Sequence, residues 1–275
     1  MRKPNIWGLH ARPPAWLKIA LASLPFIIVI LAYLVASDIR LEANPQDKLL
    51  PSPSQMADAI DRMAFQEDRR TGEYLLWTDT LSSLKRLGIG VSIATVFALI
   101  IGLNMGLFAG ASATLLPFVT FVSMIPPLAI LPILFIVFGV DELGKVMLII
   151  IGTFPIITRD VYMATRKIPH EQIVKALTLG ASQIAVVYKI VLTQIMPRLL
   201  SAVRLSLGAA WLFLIAAEAI ASTDGLGYRI FLVRRYLSMD VIIPYVIWIT
   251  FIGFTIDYIL QQIIRKKYTW YQQDN

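Results

Sequence analysis

From Ile19 to Ser37 the chain runs for 19 residues without a charge, and about 20 mainly apolar residues are what a helix needs to cross a bilayer core about 30 Å thick. The run is longer than the apolar stretch of a cleaved signal, about 7 to 15 residues, and no small-x-small cleavage site follows it before Asp38. It reads as a first membrane span. Leu87 to Gly110 and Leu115 to Val140 are two further charge-free stretches. Gly144 to Ala164 is a fourth, carrying Lys145, Arg159 and Asp160. Leu205 to Thr223 is the fifth, interrupted by Glu218, and Val241 to Ile264 the sixth, with Asp257 inside it. The expected class is an all-α integral membrane protein of six transmembrane helices. Composition agrees, since 57% of the 275 residues are hydrophobic and 16% charged, where a soluble domain has about 45 to 50% and 25%.

Six spans put both termini on one side, and the bias of Lys and Arg toward cytoplasmic loops says which. The tail with Arg2, Lys3, Arg12 and Lys18, the stretch Arg159 to Arg204, and the tail with Arg265, Lys266 and Lys267 hold fourteen basic residues and three acidic ones. They are expected in the cytoplasm. Asp38 to Asp79, with five basic and nine acidic residues, is expected outside; Asp224 to Asp240, with three Arg and two Asp, opposes the trend. The expected organisation is a cytoplasmic tail at 1–18, a first span at 19–37 and an external loop at 38–79. A core of five spans follows at 80–264, with a cytoplasmic loop at 167–197, and then a tail at 265–275. In the external loop Pro51 and Pro53 stop any earlier helix, and Ser54 can cap a new one whose Met56, Ile60, Met63 and Ala64 share a face.

The 167–197 loop far exceeds the usual helix connection of about 2 to 8 residues. A helix is expected after Pro169, with Ile173, Val174 and Leu177 on one side, then a break at Gly180 and a second helix from Ala181 or Ser182. Two short helices meeting at a glycine make a projecting elbow. It is either a bare surface hairpin or a docking knob for a soluble partner.

Polar groups inside the spans are expensive and need partners. Glu218 either lines a solute pathway or bonds neighbouring backbone or a second subunit. Asp257 is expected to pair with a nearby cation, Lys85 to reach the interface, and Arg86 to face a cavity. Pro117, Pro126, Pro127 and Pro132 loosen the third span, so Ser123, Met124, Pro126 and Pro127 either line a cavity or form a packing kink. Gly102, Gly106 and Gly110 are spaced for close helix packing.

The spacing Ala176, Gly180, Ile190, Leu192 resembles the cytoplasmic EAA loop of ABC importer permeases, with Val174, Lys175 and Thr193 where that pattern has Glu, Ala and Pro. LPSPSQ at 50–55, TLSSLKRLGIG, SMIPPLAILPI at 123–133 and AAEAIASTDGLGYRI at 216–230 also resemble the nitrate, sulfonate, taurine and bicarbonate group of such permeases. TFVSMIPPLAILPILFIVFG, ITRD and AAWLFLIAAEAIASTDGLGYRIFLVRRYLSMDVI resemble its urea-carboxylase-associated branch. The resemblance implies a type I ABC importer permease fold in the bacterial inner membrane and a small nitrogenous solute, guanidinium first and urea next. It also implies a dimer, self-paired (a homodimer) or with a similar subunit, two ABC ATPase subunits that bind ATP and Mg, and an external solute-binding protein. It places ATPase coupling on Ile173, Lys175, Ala176, Leu177, Leu179, Gly180, Ala181 and Ser182; the candidate pathway residues are Glu218, Arg86, Ser123, Met124, Pro126, Pro127 and Trp211.

The chain itself is expected to bind no cofactor or metal and to have no catalytic residue. It has no G-x-x-x-x-G-K-[ST] loop to cradle phosphates, no Cys, no H-E-x-x-H, and only His10 and His170. Its basic residues flank spans, which is unlike a nucleic-acid-binding face. A secondary transporter or channel of another fold is the alternative class. It predicts inverted repeats, which the halves lack, and leaves the 167–197 loop unexplained.

Overall fold

The computed structural model describes residues 14–45 and 47–271. The tail residues Arg2, Lys3, His10 and Arg12, with Asp274, lie outside the described residues. Every regular element among the described residues is helical. In order they are α1 (Ala15–Ala43), α2 (Pro53–Ala64), α3 (Leu75–Leu107), α4 (Ala109–Ser123), a 3-10 turn (Pro127–Ile130), α5 (Leu131–Phe138), α6 (Glu142–Arg166) and α7 (His170–Thr178). After them come α8 (Gln183–Ala185), a π-helical stretch (Val186–Val191), α9 (Leu192–Ile220), α10 (Leu226–Arg234) and α11 (Met239–Lys267). Among the described residues, five helices are long and apolar enough to cross a membrane, and the bent pair α4/α5, counted as one span, makes a sixth.

The bundle is built on α3, α6 and α9, and a seam of small residues brings them together. A Cβ on Gly90 would meet Ile149 at 2.8 Å, one on Gly102 the Thr158 carbonyl at 2.8 Å, and one on Gly106 the Thr165 Cβ at 2.3 Å. Gly152 does the same for α9, since a Cβ there would lie 2.2 Å from Phe213. Gly110 falls outside the seam, in α4, with nothing within 4 Å of a Cβ. Gly106→Ala is therefore expected to destabilise the bundle by about 1 to 3 kcal/mol through overpacking, and Gly110→Ala to leave it unchanged. Thermal midpoints of the two variants in one detergent check this.

The third span is broken. Pro126 and Pro127 have no N–H to continue the α4 ladder, and a residue preceding proline is driven toward extended backbone. The axis turns by 82° between Ala109–Ser123 and Pro127–Phe138. The second span starts about three turns before Leu87, at Leu75, so Asp79, expected in the external loop, is a buried helical residue.

Helix α2 forms where the Met/Ile periodicity places it, but Ser52, not Ser54, caps it. The Ser52 hydroxyl accepts from the Gln55 N–H at 3.3 Å, and the Gln55 side chain accepts from the Ser52 N–H at 2.9 Å. Pro53 then occupies the first turn, where a missing N–H costs nothing. Helix α1 stands off the bundle, with none of its most apolar 18-residue window buried. It is tied at one end, where the Tyr33 hydroxyl donates to the Pro51 carbonyl at 2.7 Å and the Ser37 hydroxyl to the Leu50 carbonyl at 2.9 Å.

Candidate functional site

Two constructions at opposite ends of α6 carry polar chemistry. At its N-terminal end sits a clasp centred on Arg86, which is 3% exposed. Arg86 Nη1 donates to Glu218 Oε1 at 2.7 Å and to the Asp224 carbonyl at 3.0 Å, and Nε and Nη2 grip both Glu142 oxygens at 2.6 and 2.7 Å. Nη2 also pairs with the Asp224 carboxylate. One guanidinium thus joins α3, α6, α9 and the loop before α10, because its planar fork offers several donors at once. Lys145 adds a second cation, donating to Glu142 at 3.0 Å and to Ser222 at 3.1 Å.

The same cluster finishes the N-terminus of α10. A helix leaves its first N–H groups without partners, and here side chains from other helices take them. Gly225 N–H donates to Asp79 at 2.9 Å, Leu226 N–H to Ser83 at 2.9 Å and Gly227 N–H to Glu218 at 2.8 Å. Ser83 in turn donates to Glu218 at 2.8 Å. Gly225 has φ +113°, and a Cβ there would lie 2.5 Å from the Glu218 carboxyl and 2.7 Å from Arg86 Nη1. Asp79 is completed by Arg229 at 2.8 Å and the Tyr245 hydroxyl at 3.2 Å. Three cations (Arg86, Lys145, Arg229) therefore face four carboxylates (Asp79, Glu142, Glu218, Asp224), and Glu218, with no exposed surface, has every oxygen occupied.

Arg86 and Glu218 are therefore brought together inside the chain and not on an open face. Ser83, Glu142, Lys145 and Arg229, together with Asp79, escaped the sequence reading. Their signal was present in α3, where Asp79, Ser83 and Arg86 sit at i, i+4 and i+7, one polar stripe on an apolar helix.

The other predicted pathway residues lie elsewhere. Ser123 and Met124 end α4 at the break, with Met124 73% exposed, and Pro126 and Pro127 open the 3-10 turn. The Ser123 hydroxyl donates to the Thr120 carbonyl at 2.7 Å and accepts from Arg159 at 3.4 Å. Trp211 is buried between α9 and α11, its Nε1 3.4 Å from where a Cβ on Gly253 would sit. Asp257 pairs as expected, receiving both Arg204 N–H groups at 2.9 Å.

At the C-terminal end of α6 is the elbow. The Gly180 N–H donates to the Leu177 carbonyl and the Ala181 N–H to the Ala176 carbonyl, both at 3.0 Å. This is the paired helix-ending pattern that needs a left-handed residue, and Gly180 has φ +86°. Ser182 then caps the next helix, accepting from the Ala185 N–H at 3.2 Å. That helix is not short, because α8, the π stretch and α9 run on as one 38-residue rod from Gln183 to Ile220. Ile173, Ala176 and Ala181 pack on the bundle, whereas Val174, Lys175, Leu177 and Leu179 face outward. Leu179 is 79% exposed. The side chains of Gln172 and Gln194, 2.9 Å apart, hold α7 against α9. The elbow thus presents an apolar face on a continuous helix rooted in a span.

The sequence profile of the family described as "Binding-protein-dependent transport system inner membrane component" matches residues 89–268. The taurine transport system permease protein TauC of Escherichia coli (strain K12) is 29% identical over 81% of this chain and 80% of its own. The bicarbonate transport system permease protein CmpB of Synechococcus elongatus is 31% identical over 66% of each. Among solved structures, a chain of the MetNI methionine ABC transporter in an inward-facing conformation shares the fold. Its TM-score is 0.55 at 20% identity, covering 66% of this chain and 93% of that one.

Proposed function

We propose, from the premise that the chain belongs to the family of binding-protein-dependent transport system inner membrane components, that it is the permease subunit of an ATP-driven importer. It is a multi-pass inner-membrane protein and not itself an enzyme. Two copies assemble around a shared pathway, with both termini in the cytoplasm. Two cytoplasmic ATPase subunits hold the ATP and Mg, and an external binding protein delivers the solute.

The observation that carries this reading is the elbow. An apolar surface with Val174, Leu177 and Leu179 exposed, on a helix leading into a continuous span, suits a groove on a soluble partner. Movement of the ATPases pushes α7, Gly180 lets the direction change, and the Gln183–Ile220 rod carries the displacement across the membrane. Ile173, Lys175, Ala176, Ala181 and Ser182 shape that joint. The break at Ser123, Met124, Pro126 and Pro127 lines the pathway, since irregular backbone is tolerated at membrane depth only against protein or a watery cavity. Arg86 and Glu218 act on the pathway by fixing the helix ends around it, and Trp211 by fixing the spacing of α9 and α11.

The solute is a small polar one. Guanidinium follows from the motif resemblance, and taurine, other sulfonates, nitrate and bicarbonate suit the same permease type. Reconstitution in vesicles with the partner ATPase and binding protein is the test. Hydrolysis is expected to rise with loaded binding protein, and uptake that persists without any ATPase would overturn the proposal. Calorimetric titration of the binding protein with guanidinium, urea, nitrate and taurine selects the solute.

A further inference from the structure

The rod that joins the elbow to its span contains one irregular turn. At its start the ladder runs four residues back, with the Val186 N–H donating to the Ser182 carbonyl at 3.0 Å. At Leu192 the N–H reaches the Val187 carbonyl, five residues back, and Val186–Val191 forms the wider π turn between. Four of its six residues, Val186, Val187, Ile190 and Val191, are β-branched. Crowding of such side chains against the preceding turn lowers their preference for the α-helix. A little further on, Pro197 withholds the N–H that the Thr193 carbonyl would accept. Both irregularities fall in the part of the rod nearest the elbow.

The burial pattern shows what the turn does. Val191, Ile195 and Leu199 are buried at intervals of four, which suits an α-helix, but Val186, also buried, comes five residues before Val191. In an α-helix an interval of five would leave the two valines about 140° apart. The π turn holds one residue more and sets both against the bundle, while Tyr188, 64% exposed, and Lys189 point away. The stretch lies beside α7, and the Gln172–Gln194 bond ties α7 to the rod just beyond it.

We propose that this turn is the torsional joint of the coupling rod. Load on the elbow is taken up by exchange of the turn between π and α geometry, which rotates the elbow by up to about 100° about the rod axis, the angle of one residue. Each N–H exchanges a carbonyl five residues back for one four back, so the rod stays continuous and its backbone groups stay paired. Gly180 sets the bend of the elbow and the π turn its twist. The role in transport rests on the importer reading.

Deletion of Tyr188 tests this, because it removes the surplus residue. The interval between the two valines becomes four, so an uninterrupted α-helix keeps both buried and the elbow pointing as before. Deletion of Lys189 does the same with a different side chain lost, and Tyr188→Ala and Lys189→Ala remove the side chains alone. In the full chain in lipid nanodiscs without an ATPase, amides of 187–195 are expected to exchange with deuterium at least about tenfold more slowly in both deletion variants than in the unaltered protein. With the partner ATPase and binding protein, both deletion variants are expected to hold the ATPase in pull-down assays and to lose more than about tenfold of their uptake. The alanine variants are expected to keep it. Deletion variants that transport like the unaltered protein, or whose amides exchange no more slowly, would overturn the joint. So would a fall in thermal midpoint as large as that caused by deleting Leu200 from the regular part of α9, since the valine phase would then not depend on the π turn. Absence of ATPase-coupled uptake in the unaltered protein would instead remove the importer reading, and the exchange rates would still decide whether the turn yields.

Discussion

Arg86→Ala is expected to cost the protein about 3 to 5 kcal/mol, the penalty of stranding a buried charge after its partner is removed. The carboxylate stranded is Glu218, which has no exposed surface and sits between α3, α9 and α10. The loop before α10 loses its anchor in the same step, because Asp224 binds Arg86 through both its carbonyl and its carboxylate. The readout is a thermal midpoint in detergent together with the yield of membrane-inserted protein. Arg86→Lys is expected to recover only part of the loss, since a single ammonium lacks the fork that reaches Glu142 and Glu218 together. Arg86→Met combined with Glu218→Met is expected to be more stable than Arg86→Ala alone, since it leaves no fully buried charge without a partner, Glu142 and Asp224 being open to solvent. A double variant no better than the single one would show that the clasp matters for something other than charge compensation.

The second large effect is expected at the elbow. Leu177→Asp together with Gly180→Asp places one carboxylate on the outward apolar face and another at a backbone angle, φ +86°, that side chains adopt at a cost of about 1 to 2 kcal/mol. An apolar anchor at the centre of a docking face is worth about 2 kcal/mol or more. The pair is thus expected to lower binding-protein-stimulated ATP hydrolysis by more than about tenfold and to release the ATPase from the membrane in pull-down assays. Leu177 is 42% exposed and a Cβ at Gly180 meets nothing within 4 Å, so the bundle is expected to fold, its thermal midpoint lowered only by that backbone strain. Undiminished assembly of that variant with its ATPase would remove the elbow from the coupling route.

Features that depend on local pattern could be read before any packing was known. The break in the third span follows from Pro126 and Pro127, the turn at the elbow from Gly180, and the approach of α3 to α6 from Gly102 and Gly106. In each case one residue type changes what the backbone can do within a few positions. The cap of α2 was misplaced because Ser52 and Ser54 flank Pro53, and the period of the apolar face does not say which serine closes the first turn. The start of the second span was missed for a related reason. Asp79, Lys85 and Arg86 look like the edge of the membrane to a hydropathy argument, yet Asp79 and Arg86 are buried while Lys85 stays exposed.

The sequence alone determined the material of this protein: six apolar segments, a bias of basic residues toward one set of loops, and one long loop hinged at Gly180. Those follow from the length of a bilayer-crossing helix and from backbone preferences, which act over neighbouring residues. Only the tertiary structure decided what the charged residues inside the spans do. Arg86 and Glu218 are 132 positions apart, and Asp79 and Arg229 150 apart, so no local rule could pair them. In a low-dielectric interior a charge is tolerated only where its partner is held, and it is the packing of α3, α6, α9 and α10 that brings those partners within reach.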